Sequence, residues 1–269
     1  MKKIIIQGLI TVLLFFGIFL SLKQIDWVKT FKVKQVTDKT EEKLGDLFWD
    51  FYKKTERESN DQLLTSSLDS IVTHVCKANK IDRDKIKIHL LEKDEVNAFA
   101  IPNGHLVVYT GLIANSDNQE ELAGVISHEI AHIQLNHVMK KLVKEVGLSV
   151  LLSMTTGDNG PQVIKETAKM LSSSAFDRSQ EKEADIKAVD YLIEADLNPE
   201  KFANFLYKQS EVEPEAIQYL TWISTHPDSK ERGKYIIEYT KGKKIVSKPV
   251  LSAKTWQKIK TASESLEEN

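Results

Sequence analysis

His128-Glu129-Ile130-Ala131-His132 sets two imidazoles and one carboxylate into a stretch whose surroundings read as helix. Histidines four apart stand one turn above one another on the same helix face, so both can reach a single tetrahedral ion from one rigid element. Glu129 follows the first histidine directly, which places its carboxylate beside the ion's open position without making it a ligand. There it can take a proton from water acidified by the ion and pass it to a leaving amine. The pattern is that of a zinc hydrolase holding one Zn2+ per chain.

A five-residue pattern is short, so its context decides. Ser116 to Glu121 supplies helix-capping residues and an acidic first turn, and Leu122, Val125, Ile126, Ile130 and Ile133 then recur at three and four. This predicts an amphipathic helix running on through His137 to Lys144. His137, five residues past His132, is rotated off the ligand face and reads as a surface residue or a neighbour of the ligands. Leu135 and Val138 occupy the glycine and third-histidine slots of the extended metzincin motif, so the third ligand has to come from elsewhere.

Downstream, Phe176 to Asp185 opens another helical pattern in which Glu181 and Asp185 are i and i+4. One carboxylate of such a pair can bind the ion while the other accepts the second ring N–H of a ligand histidine. Upstream, Lys85 to Leu91 alternates as a strand. Asn97 to Leu112 reads as a hairpin turning at Pro102-Asn103-Gly104, with His105 a solvated residue at the turn exit. In zinc proteases carrying a helical motif of this kind a strand borders the cleft, which makes Asn97, Ala98, Phe99 and Ala100 candidates for pairing with an extended substrate. Glu41 to Phe51 and Asp61 to Asn79 read as covering helices, and Gln162 to Ser173 as a further helix.

Lys2 and Lys3 precede an uncharged run from Ile4 to Leu22, nineteen residues, long enough to cross a bilayer. A retained membrane anchor is the preferred reading. It places the catalytic domain outside the cytoplasm, in a bacterial periplasm or envelope, with signal-peptide cleavage and secretion as the alternative. The organisation expected is an anchor over 1–22, a polar spacer over 23–40, a zinc metallopeptidase domain over 41–240 and a charged tail over 241–269. The formal charge of -2 provides no basic field for nucleic acid, and no glycine pattern for a nucleotide is present. Cys76 is the one cysteine, which excludes an internal disulfide and a cysteine-based zinc site.

The hairpin, the His128-Glu129-x-x-His132 helix, Arg178-x-x-Glu181-x-x-Ala184-Asp185, and Thr225-His226-Pro227 followed by Arg232 come in one order. Together they resemble metallopeptidase family forty-eight, the group of HtpX-like and prenyl-protease-like zinc peptidases, over about residues 60 to 240. The resemblance implies a mainly helical α+β fold of the zincin type, specifically a gluzincin, with a small sheet beside the active-site helix. It implies His128, His132 and Glu181, not Glu183, as zinc ligands, Glu129 as general base and Asp185 as the partner of a ligand histidine. His226 matches a family histidine near the metal, steadying the oxyanion or filling the fourth coordination position in a resting form, and Arg232 would orient its segment. The activity implied is a zinc metalloendopeptidase acting on protein or peptide substrates in quality control of envelope or membrane proteins. The alternative is a zinc-dependent chaperone or binding module whose peptidase activity is latent.

Overall fold

A computed structural model describes residues 33–157, 160–211 and 221–267. The run Ile4–Leu22, expected to anchor the chain, lies outside the described residues. Among those described, no helix is long and apolar enough to cross a membrane.

Helix α1 (Val33–Thr55) begins inside the stretch expected to be a spacer. Its apolar positions Leu44, Phe48 and Tyr52 recur every four residues and are buried. Helix α2 (Gln62–Ala78) starts where Asp61 accepts from the backbone N–H groups of Leu63 and Leu64, a cap that stabilises by about 1 kcal/mol. It buries Leu64, Leu68, Ile71, Val72 and Val75. Cys76 is buried beside them and burial pushes its thiol up to about 11. His74 is engaged with the Ala195 carbonyl (2.7 Å).

Strands β1 (Lys87–Leu91), β2 (Ala98–Ile101) and β3 (His105–Tyr109) form a sheet in the order β1-β3-β2. β1 runs parallel to β3 and β2 antiparallel to it, Ile101 facing His105 across the turn. Asn103 and Gly104 take left-handed φ of 62° and 70°. A Cβ on Gly104 would stand 1.9 Å from the Lys85 carbonyl oxygen, so close approach as well as φ demands glycine there. Glu58 pairs with Leu91 along the outer side of β1, which leaves β2 as the sheet's other edge.

His105, expected in solvent, is 3% exposed. The turn is short enough that residue 105 is already the first of β3. Its imidazole packs on His89 of β1 (Nδ1 to Nε2 2.8 Å), and the His89 ring stacks on Trp49 of α1. A neighbouring strand and helix, invisible to local pattern, supply the cover.

After α3 (Thr110–Asn115) comes α4 (Gln119–Gln134), the helix carrying the histidine motif. Asn118 caps it through Glu121 N at 3.0 Å. The spacing predicts an amphipathic helix, yet every residue from Gln119 to His132 is buried. It is central, packed against α2, β2, α8 (Arg178–Glu194) and α9 (Pro199–Ser210). Polar residues of its first turn are partnered by distant parts of the chain. Gln119 bonds the Leu251 backbone twice, and Glu121 accepts from Lys208 at 3.1 Å. Gly124 faces α9 closely enough that a Cβ there would meet Phe202 at 2.5 Å.

The helix does not continue to Lys144. Leu135 closes it, Asn136 turns left-handed (φ 55°), and α5 (His137–Glu145) leaves in a new direction. Asparagine tolerates this conformation better than most residues. Helices α6 (Leu148–Thr156) and α7 (Pro161–Ser173) follow, and α7 packs along β2. Tyr52 of α1 donates to the Ala168 carbonyl of α7 at 2.7 Å.

The last described elements are α10 (Thr221–Thr225), α11 (Ser229–Thr240) and α12 (Ala253–Glu267). The region expected to be a charged tail is therefore largely a docked helix. Trp256 and Ile259 of α12 are buried, and α12 lies against α3 and α2.

Candidate metal centre

His128 and His132 project from one face of α4 with their Nε2 atoms 3.0 Å apart. Glu181, on the first turn of α8, brings Oε1 within 3.4 Å of His132 Nε2 and Oε2 within 3.7 Å of His128 Nε2. His226, just after α10, places Nε2 4.0 Å from Glu181 Oε1 and 3.4 Å from Glu129 Oε1. One ligand atom from each of His128, His132, Glu181 and His226 lies within 4.8 Å of the others, and all four residues are buried.

The donor set fits a zinc ion. Oε1 of Glu181, Nε2 of His226 and Oε2 of Glu129 are buried without a hydrogen-bond partner, while Oε2 of Glu181 is ion-paired with Arg232 at 2.7 Å. Buried carboxylate oxygens left without a hydrogen bond are costly, and a dication at the point where they converge with two imidazoles would offset that cost. Two imidazole nitrogens and a carboxylate are the donors zinc takes in hydrolytic sites.

Both histidines of the motif have their other nitrogen engaged. Nδ1 of His128 lies 2.8 Å from Asp185 Oδ1, one turn along α8 from Glu181. Nδ1 of His132 lies 3.1 Å from Nδ1 of His137, whose Nε2 is 3.3 Å from Glu183. His137 is thus a fully buried neighbour of His132, not a surface residue. Glu183 is more than half exposed and lies outside the cluster. Both arrangements leave the Nε2 atoms aimed inward and settle the tautomers in one sense.

Arg232 closes the polar network. Its guanidinium donates to both oxygens of Asp185 (2.7 and 2.8 Å) and to the His226 carbonyl (3.0 Å). It also stands 2.7 Å from Glu181 Oε2. Burial opposes ionisation of Asp185, but Arg232 and His128 beside it hold its carboxyl well below the usual range. Tyr235 donates a further hydrogen bond to it. Burial pushes His128 down to about 4 and His132 and His226 well below their ordinary values, which favours the neutral imidazole, the form that a metal requires. Burial pushes the Glu129 carboxyl up to about 8.

The residues expected to bind substrate occupy β2 and its approach. Tyr109 N–H donates to the Asn97 carbonyl, so the strand's alternation turns the amides of Ala98 and Ala100 outward. The Ala100 N–H reaches Glu129. Asn97, Ala98, Phe99 and Ala100 are at most 3% exposed, and α7 packs over them, with Asn97 Nδ2 donating to Ser172 O at 3.5 Å. A cleft lined by Arg178, Lys182, Asp228 and Tyr235 among others reaches Glu181 and Arg232.

Trp222 is the residue that sequence reading passes over. Its indole N–H donates to Glu129 Oε1 at 3.1 Å and its ring stacks on His226. A lone tryptophan four residues before His226 carries no pattern that would flag it.

The sequence profile of Peptidase family M48 matches residues 62–240. The chain belongs to peptidase family M48. The M48 match opens on the first residue of α2 and closes on the last of α11, leaving α12 outside it. Among M48-related proteins, the beta-barrel assembly-enhancing protease of Yersinia pestis is 28% identical over 195 residues, covering 66% of this chain and 40% of that protein. The mitochondrial metalloendopeptidase OMA1 of Arabidopsis thaliana is 24% identical over 198 residues, covering 74% and 40%. Metalloprotease LoiP of Escherichia coli is 28% identical over 165 residues, covering 59% and 64%. The chain spans less than two thirds of each of these relatives' own length.

Proposed function

We propose that this chain is a zinc metalloendopeptidase of the gluzincin type. The observation that carries the reading is the buried convergence of His128, His132, Glu181 and His226 on one point, with Glu129 beside it. His128 and His132, through Nε2, and Glu181, through its carboxylate, would hold zinc. When bound, zinc supplies Lewis acidity, polarising a scissile carbonyl and acidifying water. Glu129 accepts a proton at its carboxylate and returns it to the leaving amine. Asp185 and His137 keep the two imidazoles aimed, and Arg232 balances the charge of Glu181 and Asp185. His226 stands on the same side as Glu129, in reach of an oxyanion or of the fourth ligand position. β2 offers the outward amide of Ala98 to an extended substrate once α7 is displaced, while the Ala100 N–H stays with Glu129.

Ile4–Leu22 would tether the chain to a membrane, with residues 41–240 as the peptidase domain on the extracytoplasmic side. Relatives named for β-barrel assembly and for mitochondrial endopeptidase activity support misassembled membrane or envelope proteins as substrates. A second reading, a zinc-dependent binding module with latent peptidase activity, draws on the burial of the site and on α7 lying over β2.

Cleavage of casein by the zinc-loaded protein tests the reading. Wild type is expected to cleave, and Glu129→Gln to lose about 10²-fold or more while keeping its zinc. Zinc held by both proteins with no cleavage by either would favour the binding module. No zinc in either would overturn both.

A further inference from the structure

The indole of Trp222 is wholly buried between the candidate base and the candidate fourth ligand. Its Nε1–H donates to Glu129 Oε1 at 3.1 Å. Its face stacks on His226, ring centroids 4.6 Å apart and planes 20° from parallel. The Arg232 guanidinium lies 5.1 Å over the same ring. The segment is pinned from outside the site: Trp222 N–H donates to the Val96 carbonyl at 3.0 Å and the Thr221 hydroxyl to Glu95 at 2.6 Å, both just ahead of β2.

A glutamate has three rotatable side-chain bonds, so one attached to a central helix still needs partners to hold its carboxylate in one orientation. Tryptophan is a rigid donor with a single N–H and no acceptor. It can therefore fix one oxygen of Glu129 without taking the proton that Glu129 is to move.

We propose that Trp222 is a positioning residue for hydrolysis, its N–H orienting the Glu129 carboxylate while its ring face orients His226. One side chain thereby ties the base to the histidine, and a displacement of the Trp222 segment releases both together. The assignment rests on Glu129 being the general base.

The test uses the zinc-loaded full chain. Its four tryptophans give four indole N–H signals in a 15N–1H spectrum, and Trp222→Phe identifies the one that belongs to position 222. In Glu129→Gln that signal is expected to move upfield, because a neutral amide replaces a carboxylate as its acceptor. Trp222→Phe keeps a ring against His226 and removes the donor. Its kcat is expected to fall about tenfold, with KM within about twofold and zinc content unchanged. An indole signal indifferent to Glu129→Gln, or a wild-type kcat in Trp222→Phe, overturns the proposal. Should Trp222→Phe lose its zinc, the response of the indole signal to Glu129→Gln decides alone. An inactive wild type would instead reject the peptidase reading, while the indole signal still reports whether Trp222 and Glu129 are paired.

Discussion

Asp185 lies between His128 and Arg232, with one carboxylate oxygen 2.8 Å from the imidazole and both oxygens held by the guanidinium. The contact fixes which nitrogen of His128 points inward, and it does so from a group with no exposure to solvent. Asp185→Asn keeps the shape but turns an N–H2 toward one of two donors. Zinc affinity is expected to fall about 10–100-fold, measured by competition with a chelator. Unaltered affinity would mean that the contact is structural only.

His137 serves His132 as Asp185 serves His128, but more weakly, since it passes the interaction on to an exposed Glu183. His137→Ala is expected to weaken zinc binding by about tenfold. Glu183→Gln should leave zinc content unchanged, because that carboxylate stands outside the ligand cluster. Loss of zinc from Glu183→Gln would reassign the third ligand.

His89 and His105 share a hydrogen bond beneath Trp49, close to Lys87. Burial lowers both from 6.5 to about 4, with Lys87 adding to the effect on each. The unfolded chain therefore binds protons that the folded chain rejects between those values. Their contribution to stability is complete above pH 6.5 and is lost progressively as pH falls toward 4. Urea midpoints of the zinc-loaded protein should drop between about pH 7 and about pH 5, and the drop should shrink in the double variant His89→Gln, His105→Gln. An equal drop in that variant would place the acid sensitivity elsewhere.

Gly104→Ala forces a side chain into a left-handed position and against the Lys85 carbonyl. A loss of about 3 kcal/mol is expected, read as a lowered thermal midpoint. A loss below about 0.5 kcal/mol, the range of an ordinary surface substitution, would show that the β2–β3 turn relaxes freely.

What the sequence discloses depends on how local the cause is. The i, i+4 pairs His128/His132 and Glu181/Asp185 declare their faces by spacing alone, and the glycine turn declares the hairpin. The run from Asp61 to Asn79 forms α2 because its cap and its apolar rhythm agree. The break at Asn136 escapes the pattern because the apolar repeat continues past it, while one left-handed residue redirects the chain. Burial of the whole of α4 escapes it because the cover comes from Phe202, Lys208 and Leu251, far away in sequence. His105 and Trp222 share that cause: partners on other elements decide their roles.

Family membership and the folding unit end at different places. The shared pattern stops at Thr240, but Gln119, at the start of the motif helix, makes two hydrogen bonds to Leu251, and Trp256 and Ile259 reach the main apolar core. A chain cut at Thr240 would keep every candidate ligand and expose the flank of the helix that presents two of them. The C-terminal helix is thus a brace set outside the family pattern, sealing from one flank the frame on which the metal centre is mounted.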